Sequence, residues 1–532
     1  MWQTDRQTTS LTAVFKIDRD RLKWAFMFTF LFGLLAHGYA FLNFQPSHDS
    51  LSEVSGSDYW TWKIQLGRYL KVIYDHILGC FASLPWVNGI LSLLWIALTA
   101  YLVAEILSFD KKWEFAIVCG ILSTNITVTA LTATYAEDLS SDMCALFFSA
   151  CGCWLWYKLI LEKRNLGICV VIIGGMCISM CVATSLALYQ SYICVYVALV
   201  LIASILKLLN SRESCCKEVL IGDLWAALAT AFGGILYYAG IRLVTRFTGI
   251  SLYEGNYNTV TNAWKNYEPI VDRSYCTIKQ FIDTFVNMPG YVYSKSVPNT
   301  INAILFITGA ACLIIMIIHA LKSKGKSLDI AFAIFLIGAL PFAMNGMRLL
   351  NSTVHALMIY AFWLIYIFVL ALVHMTLDLK KSKILKGVII VFSALLILMN
   401  IQTANAAYVK KSTDSQATMS AMTRAVDKIE NLDGYDPGVT PVAFIGSPGS
   451  YLKSYDAFNE IASITGMSSN SSITYYKTYY QYLKLLMRVN MNVIDSSVAS
   501  EMVGEETIQQ MPVFPSNGCV QMINGIVIVR WE

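Results

Sequence analysis

The chain has 532 residues, of which 56% are hydrophobic and only 14% charged, and its formal net charge is +4. Its mean hydropathy is +0.55. These values exclude an ordinary soluble domain, and no basic patch interleaved with aromatics points to nucleic acid.

The apolar residues gather into runs that suit helices of around 20 residues crossing a hydrocarbon core of about 30 Å. About eleven spans are predicted, near 23–42, 86–108, 113–131, 139–161, 166–184, 188–207, 219–247, 298–320, 328–346, 353–377 and 386–404. Lysine and arginine fall on alternate linkers. Arg6, Lys16, Arg19, Arg21 and Lys23 precede the first span; Lys111 and Lys112, Lys163 and Arg164, then Lys207, Arg212 and Lys217 follow on the same side. Lys322, Lys324 and Lys326, then Lys380, Lys381, Lys383 and Lys386, complete it. The positive-inside rule makes that side cytoplasmic, with the N-terminus inside and the tail outside. The first span lacks a small-residue cleavage site and reads as a retained helix. Nine cysteines lie within spans as small apolar residues, and neither Cys151 with Cys153 nor Cys215 with Cys216 has zinc-ligand spacing. No metal or cofactor is expected, and pairing of the outer Cys276 with Cys519 is left open.

Three outer segments are informative, at 43–85, 132–140 and 248–297. The first carries Asn43-Phe44-Gln45-Pro46-Ser47-His48-Asp49-Ser50 directly after a span, which fixes a carboxylate at the membrane surface. Further on, Leu70, Ile73, Tyr74, Ile77, Leu78 and Phe81 recur at helical spacing, with Arg68, Lys71 and Asp75 on the other face. That is an interfacial amphipathic helix, either an anchor to headgroups or one whose Arg68 and Lys71 hold a lipid phosphate. The second segment puts Glu137, Asp138 and Asp142 close together without a cation. They read as solvated capping groups at the start of the fourth span, or else Glu137 or Asp138 faces a central cavity and orients a sugar or an acceptor. In the third, Tyr253, Asn256, Tyr257, Asn258, Asn262, Trp264, Asn266, Tyr267 and Tyr291 suit sugar faces and an interfacial aromatic belt equally. Arg348 is a lone cation on the turn after the ninth span, able to snorkel or to bind an anion. Glu105, His319 and His374 sit near cytoplasmic helix ends and read as snorkelling or satisfied, not functional, while His355, near the outer end of the tenth span, stays open.

From about residue 405 the character changes. Met419, Met422, Val426 and Ile429 form a helical stripe, Pro441-Val442-Ala443-Phe444-Ile445-Gly446 reads as a buried strand, and Tyr475 to Val489 suggests another helix. Two β-rich runs flank Asn524-Gly525, a strong hairpin signal. The predicted fold is an all-α polytopic membrane domain over 1–404 and a small C-terminal α/β extracytoplasmic domain over 405–532.

His48-Asp49, Gly67-Arg68-Tyr69, Tyr135-Ala136-Glu137-Asp138, Tyr189-Gln190-Ser191-Tyr192 and Met511-Pro512-Val513-Phe514-Pro515 occur in this order. With these motifs the chain resembles the serotype-converting, Gtr-type glucosyltransferases of bacteria and their phages, which in turn resemble the GT-C class. The resemblance implies a polyprenyl-phosphate-linked hexose donor, a lipid-linked O-antigen polysaccharide acceptor and catalysis on the periplasmic face of the inner membrane. It also implies an acidic base in the first outer segment, which maps onto Asp49, with Glu137 and Asp138 as the second acidic position. The substrate-binding set expected with them is His48, Arg68, Lys71, Tyr189, Gln190, Trp264 and Arg348. A transporter or flippase, an O-antigen polymerase and a membrane acyltransferase are the competing readings, the first disfavoured because no internal repeat is evident.

Overall fold

The structure, a computed structural model, describes residues 17–43, 45–53, 57–78, 85–162, 168–255, 268–286, 296–323, 325–453, 461 and 464–532. The predicted site residue Trp264 lies outside them. So do Asn256, Tyr257, Asn258, Asn262, Asn266, Tyr267, Tyr291, Arg6, Lys16, Lys163, Arg164, Lys324 and Phe81.

Among the described residues, 11 helices are long and apolar enough to cross a membrane, and the chain is a multi-pass membrane protein. The third span (Lys112–Thr134) and the tenth (Tyr360–Lys380) are the most enclosed, because their apolar residues run right round the helix instead of forming one stripe. The first, fifth and seventh expose Leu35, Ile173 and Leu228 outward, as lipid-facing helices should.

Two spans depart from a single uninterrupted helix at the predicted place, each for a local reason. Asn125 interrupts the third: its Nδ2 donates to the carbonyls of Ile121 and Leu122, both at 3.0 Å, and its Oδ1 accepts from the Val128 amide at 3.2 Å. One side chain thus ends one helix and caps the next, as asparagine does well. The tenth span starts later than 353, because His355 is extended and two short 3-10 turns, Ala356–Met358 and Tyr360–Trp363, intervene. Those turns leave His355 exposed, at the same end of the spans as His48 and Asp49.

The eleventh helix runs unbroken over Lys383–Glu430. Its 48 residues span about 72 Å, more than twice a hydrocarbon core, so its second half must rise clear of the bilayer. There it meets a four-stranded sheet of β1 (Pro441–Ile445), β2 (Asn492–Val493), β3 (Val520–Ile523) and β4 (Ile526–Arg530), in the order β2-β1-β4-β3. β1 is parallel to β2 and β4, while β3 and β4 form an antiparallel hairpin turned by Asn524 and Gly525, both at positive φ. Met422, Val426 and Ile429 of the long helix fill the core beneath. Cys519 is buried in that core and Cys276 lies on an outer helix, both as free thiols.

The tail and the membrane part share their cores. Leu51, from the first outer segment, is buried among tail residues, while Ile461, Ile464 and Met467 of the tail join the core of the membrane helices. A chain ended at 405 loses both contacts but none of the hydropathy that drives insertion of the spans. Such a truncation is expected to reach the membrane in normal amount and to show no transfer activity. Quantitative immunoblotting of membranes beside an activity assay checks this, and full activity would show the tail to be dispensable.

Candidate active site

The first outer segment folds as three short helices, His48–Glu53, Ser57–Gln65 and Tyr69–Leu78. The third is amphipathic as predicted, with Ile73, Ile77 and Leu78 exposed, but its polar face turns into the protein instead of toward water. Lys71 on that face is fully buried, and its Nζ lies 2.6 Å from Asp75 Oδ2 and 2.9 Å from Asp138 Oδ1. Lys63, also buried, reaches Asp138 Oδ2 at 2.6 Å. The Tyr59 hydroxyl lies 2.8 Å from Asp75 Oδ2 and 3.0 Å from Asp138 Oδ1.

Two ammonium groups and two carboxylates thus share one buried network. Buried charges persist only in such company, since the desolvation penalty of each ion is several kcal/mol. Burial alone would raise the Asp138 carboxyl, but Lys63 and Lys71 outweigh it and hold the group well below the usual carboxylate range. Burial works downward on the Lys71 ammonium, yet Asp138 and Asp75 leave it above its ordinary value. At Asp75 burial dominates and the carboxyl is raised.

Asp138 therefore binds two lysines. It is no solvated cap, and it lies on the wall of a cavity above the network. Although it occupies the N-cap position of the fourth span, it makes no side-chain cap there. Lys71 is committed to the same network and does not reach the surface where a lipid phosphate would lie.

Above this network is a cavity of about 640 Å³. His48, Asp49, Lys63, Arg68, Tyr189 and Asp142 are among its walls, and the tail closes it from above with Thr465, Gly466, Tyr475 and Lys477. Asp49 is partly exposed, with its Oδ2 3.3 Å from His48 Nε2. Arg68 lays its guanidinium on the Tyr189 ring, 4.4 Å from the centroid, with Asp142 on the same cavity wall. Gln190 acts from behind: its Nε2 lies 2.9 Å from both the Leu66 carbonyl and the Tyr237 hydroxyl, anchoring the turn that presents Arg68. Gly67 in that turn has φ +77°, and a Cβ there would meet the Tyr237 hydroxyl at 2.6 Å.

Glu137 does not line the cavity. Its Oε2 accepts from the Ser50 hydroxyl at 3.0 Å, beside Asp49, and the Lys411 ammonium lies in the field of both carboxylates. Arg348 lies elsewhere. It pairs with Glu268 Oε2 at 2.9 Å, donates to the Asn351 carbonyl at 3.1 Å, and lines a second cavity that meets the first at His355 and Thr465.

Five contributors escape a reading of the sequence. Lys63 sits in an unremarkable aromatic stretch, and Lys411, Tyr475 and Lys477 come from the tail. Asp142 lies inside a span, almost wholly buried on the cavity wall, and its Oδ1 has no hydrogen-bond partner among the described residues. A signal for it existed, because Asp138 and Asp142 are four apart and must share a helix face.

At the opposite ends of the spans, Glu105 pairs with Arg21 at 2.9 Å and Lys158 at 3.6 Å. Asp110, Glu114 and His374 also bring possible metal-ligand atoms within 4.8 Å of one another there. Glu114 Oε2, however, accepts from the Asp110 and Lys111 amides and Oε1 lies 2.7 Å from His374 Nδ1, so the group reads as a satisfied helix start.

Eleven spans among the described residues, a cavity lined by a carboxylate and a guanidinium, and a folded cap over it define a multi-pass membrane protein with a polar site at one end of its spans. Residues 38–358, more than half of the chain, match the family described as Glucosyl transferase GtrII. The chain belongs to this family and is a glycosyltransferase, which uses a sugar donor and an acceptor. Asp49, Arg68, Asp138, Tyr189 and His355 fall within the matched residues, while the cap falls beyond them. No curated protein and no solved structure matches the chain.

Proposed function

We propose that the protein transfers glucose from a polyprenyl-phosphate-linked donor to a lipid-linked O-antigen polysaccharide, on the periplasmic face of the bacterial inner membrane. The observation that carries this reading is the shared cavity of Asp49 and Arg68, on the side of the spans opposite the lysine-rich linkers. A donor dissolved in the bilayer presents its phosphate at that depth, and a guanidinium suits a phosphate by charge and by its forked donors.

Asp49 is the base in this scheme. An acceptor hydroxyl passes its proton to the Asp49 carboxylate as its oxygen bonds to the anomeric carbon. The bond from that carbon to the phosphate oxygen breaks, and its electron pair leaves with the polyprenyl phosphate, whose charge Arg68 offsets. His48 orients Asp49. Asp138 serves indirectly, by keeping Lys63 at the cavity wall, and Glu137 through Ser50 fixes the helix that bears Asp49. The unpartnered Asp142 oxygen is placed to accept from a sugar hydroxyl.

One base and one direct displacement invert the anomeric centre. NMR of the product, compared with the donor, is expected to show the opposite configuration, and a retained one would contradict the single displacement. Arg68→Ala is expected to raise the donor KM about ten- to hundredfold, since bonds to a charged group contribute about 1.5–3 kcal/mol, with a smaller effect on kcat. Steady-state kinetics with varied donor separates the two.

A further inference from the structure

The second cavity is the same size as the first, about 640 Å³, and has its own cations. Lys279, Gln280 and Asp283 line it from one helix, Arg348 from the turn after the ninth span, and His355 and Thr465 where it meets the first cavity. The helix, Ile270–Val286, is strongly two-faced. One face is bonded to the protein: Gln280 Nε2 donates to the Val354 carbonyl at 3.0 Å, and Asn345 Nδ2 donates to the Thr277 carbonyl at 3.1 Å. The other face exposes Ile270, Val271, Tyr275, Ile278, Ile282 and Val286.

Water does not suit that second face, and lipid does. The eighth span, which packs against this helix, also exposes an apolar side chain at its start, Val297. This helix therefore lies in the outer interface, apolar side down, as Tyr69–Leu78 does beside the first cavity. Each cavity thus has a lipid-facing amphipathic helix at its edge and a cation on its wall. A lipid whose headgroup carries a phosphate can enter either one sideways, keeping its chain in the bilayer.

Building on the transferase reading above, we propose that the second cavity binds the phosphate-bearing headgroup of the lipid-linked saccharide acceptor. Lys279 and Arg348 face the phosphate, the latter exchanging Glu268 for it, and the saccharide runs past His355 and Thr465 toward Asp49. The first cavity is then left to the donor, so the two lipids reach the reaction from separate sides.

The test uses the full-length protein in nanodiscs and two acceptors with one saccharide, linked to polyprenyl diphosphate or free of lipid. Lys279 is exposed, so Lys279→Glu does not put folding at stake. It is expected to raise the KM for the lipid-linked acceptor about tenfold or more, the loss of one charge-assisted contact. The KM values for the donor and for the lipid-free saccharide should stay unchanged. A rise in the donor KM, an equal rise for both acceptors, or no change at all would overturn the assignment. If the wild type transfers no sugar, the transferase reading fails, and direct binding of polyprenyl diphosphate decides the cavity separately. Binding that Lys279→Glu weakens, and that inorganic pyrophosphate displaces poorly, supports the site; binding indifferent to the substitution, or displaced equally by the free anion, overturns it.

Discussion

Asp49→Asn is expected to lower glucosyl transfer by about 10²–10⁴-fold, the usual range for a lost general base. The change is nearly isosteric at a partly exposed side chain outside the buried network, so folding and donor binding should persist. Paired measurements of transfer rate and donor binding check this. The informative control is Glu137→Gln, which removes charge from a carboxylate held by Ser50 outside the cavity and should cost much less. If Asp49→Asn transfers normally and Glu137→Gln is dead, the two roles are reversed.

Asp138→Ala is expected to damage the fold before the chemistry. It leaves Lys63 and Lys71 buried without their common partner, and breaking a buried pair in this way costs about 3–5 kcal/mol. Thermal unfolding of the detergent-solubilised protein should show a large loss of stability, and a further Lys71→Met should recover part of it by removing one stranded charge. The sign with pH follows from the carboxyl being held below its ordinary range: this stabilisation is present at neutral pH and is lost only as pH falls below usual carboxylate values. A stable but inactive Asp138→Ala would instead place this carboxylate in the reaction.

How much of this was legible in the sequence depends on the range of the interaction. Hydropathy and charge alternation are local signals, and the 11 spans lie close to where these put them. The Asn524-Gly525 hairpin and the strand at Pro441–Ile445 are local too. The exceptions are instructive. A polar residue can divide a span from within, as Asn125 does, turns can delay its start, as those after His355 do, and a helix can outrun the membrane, as Lys383–Glu430 does.

Within the site, the outer segments name Asp49 and Arg68, but no sequence pattern says which way an amphipathic helix faces when protein lies behind it. Lys71 and Asp75 therefore read as the headgroup side of an interfacial helix, although Asp138, 63 residues beyond Asp75, draws them inward. Arg348 likewise looked alone because its partner Glu268 lies 80 residues upstream. The cap residues Thr465, Tyr475 and Lys477 come from a segment whose own sequence carries no catalytic pattern.

The most direct test of transfer at this site uses the purified full-length protein with polyprenyl-phosphoglucose, labelled in the sugar, and a lipid-linked O-antigen acceptor. The expected result is label in the polysaccharide, one polyprenyl phosphate released for each glucose transferred, and near loss of both with Asp49→Asn. Label that crosses a sealed vesicle membrane still attached to polyprenyl phosphate, with no bond broken, would contradict it.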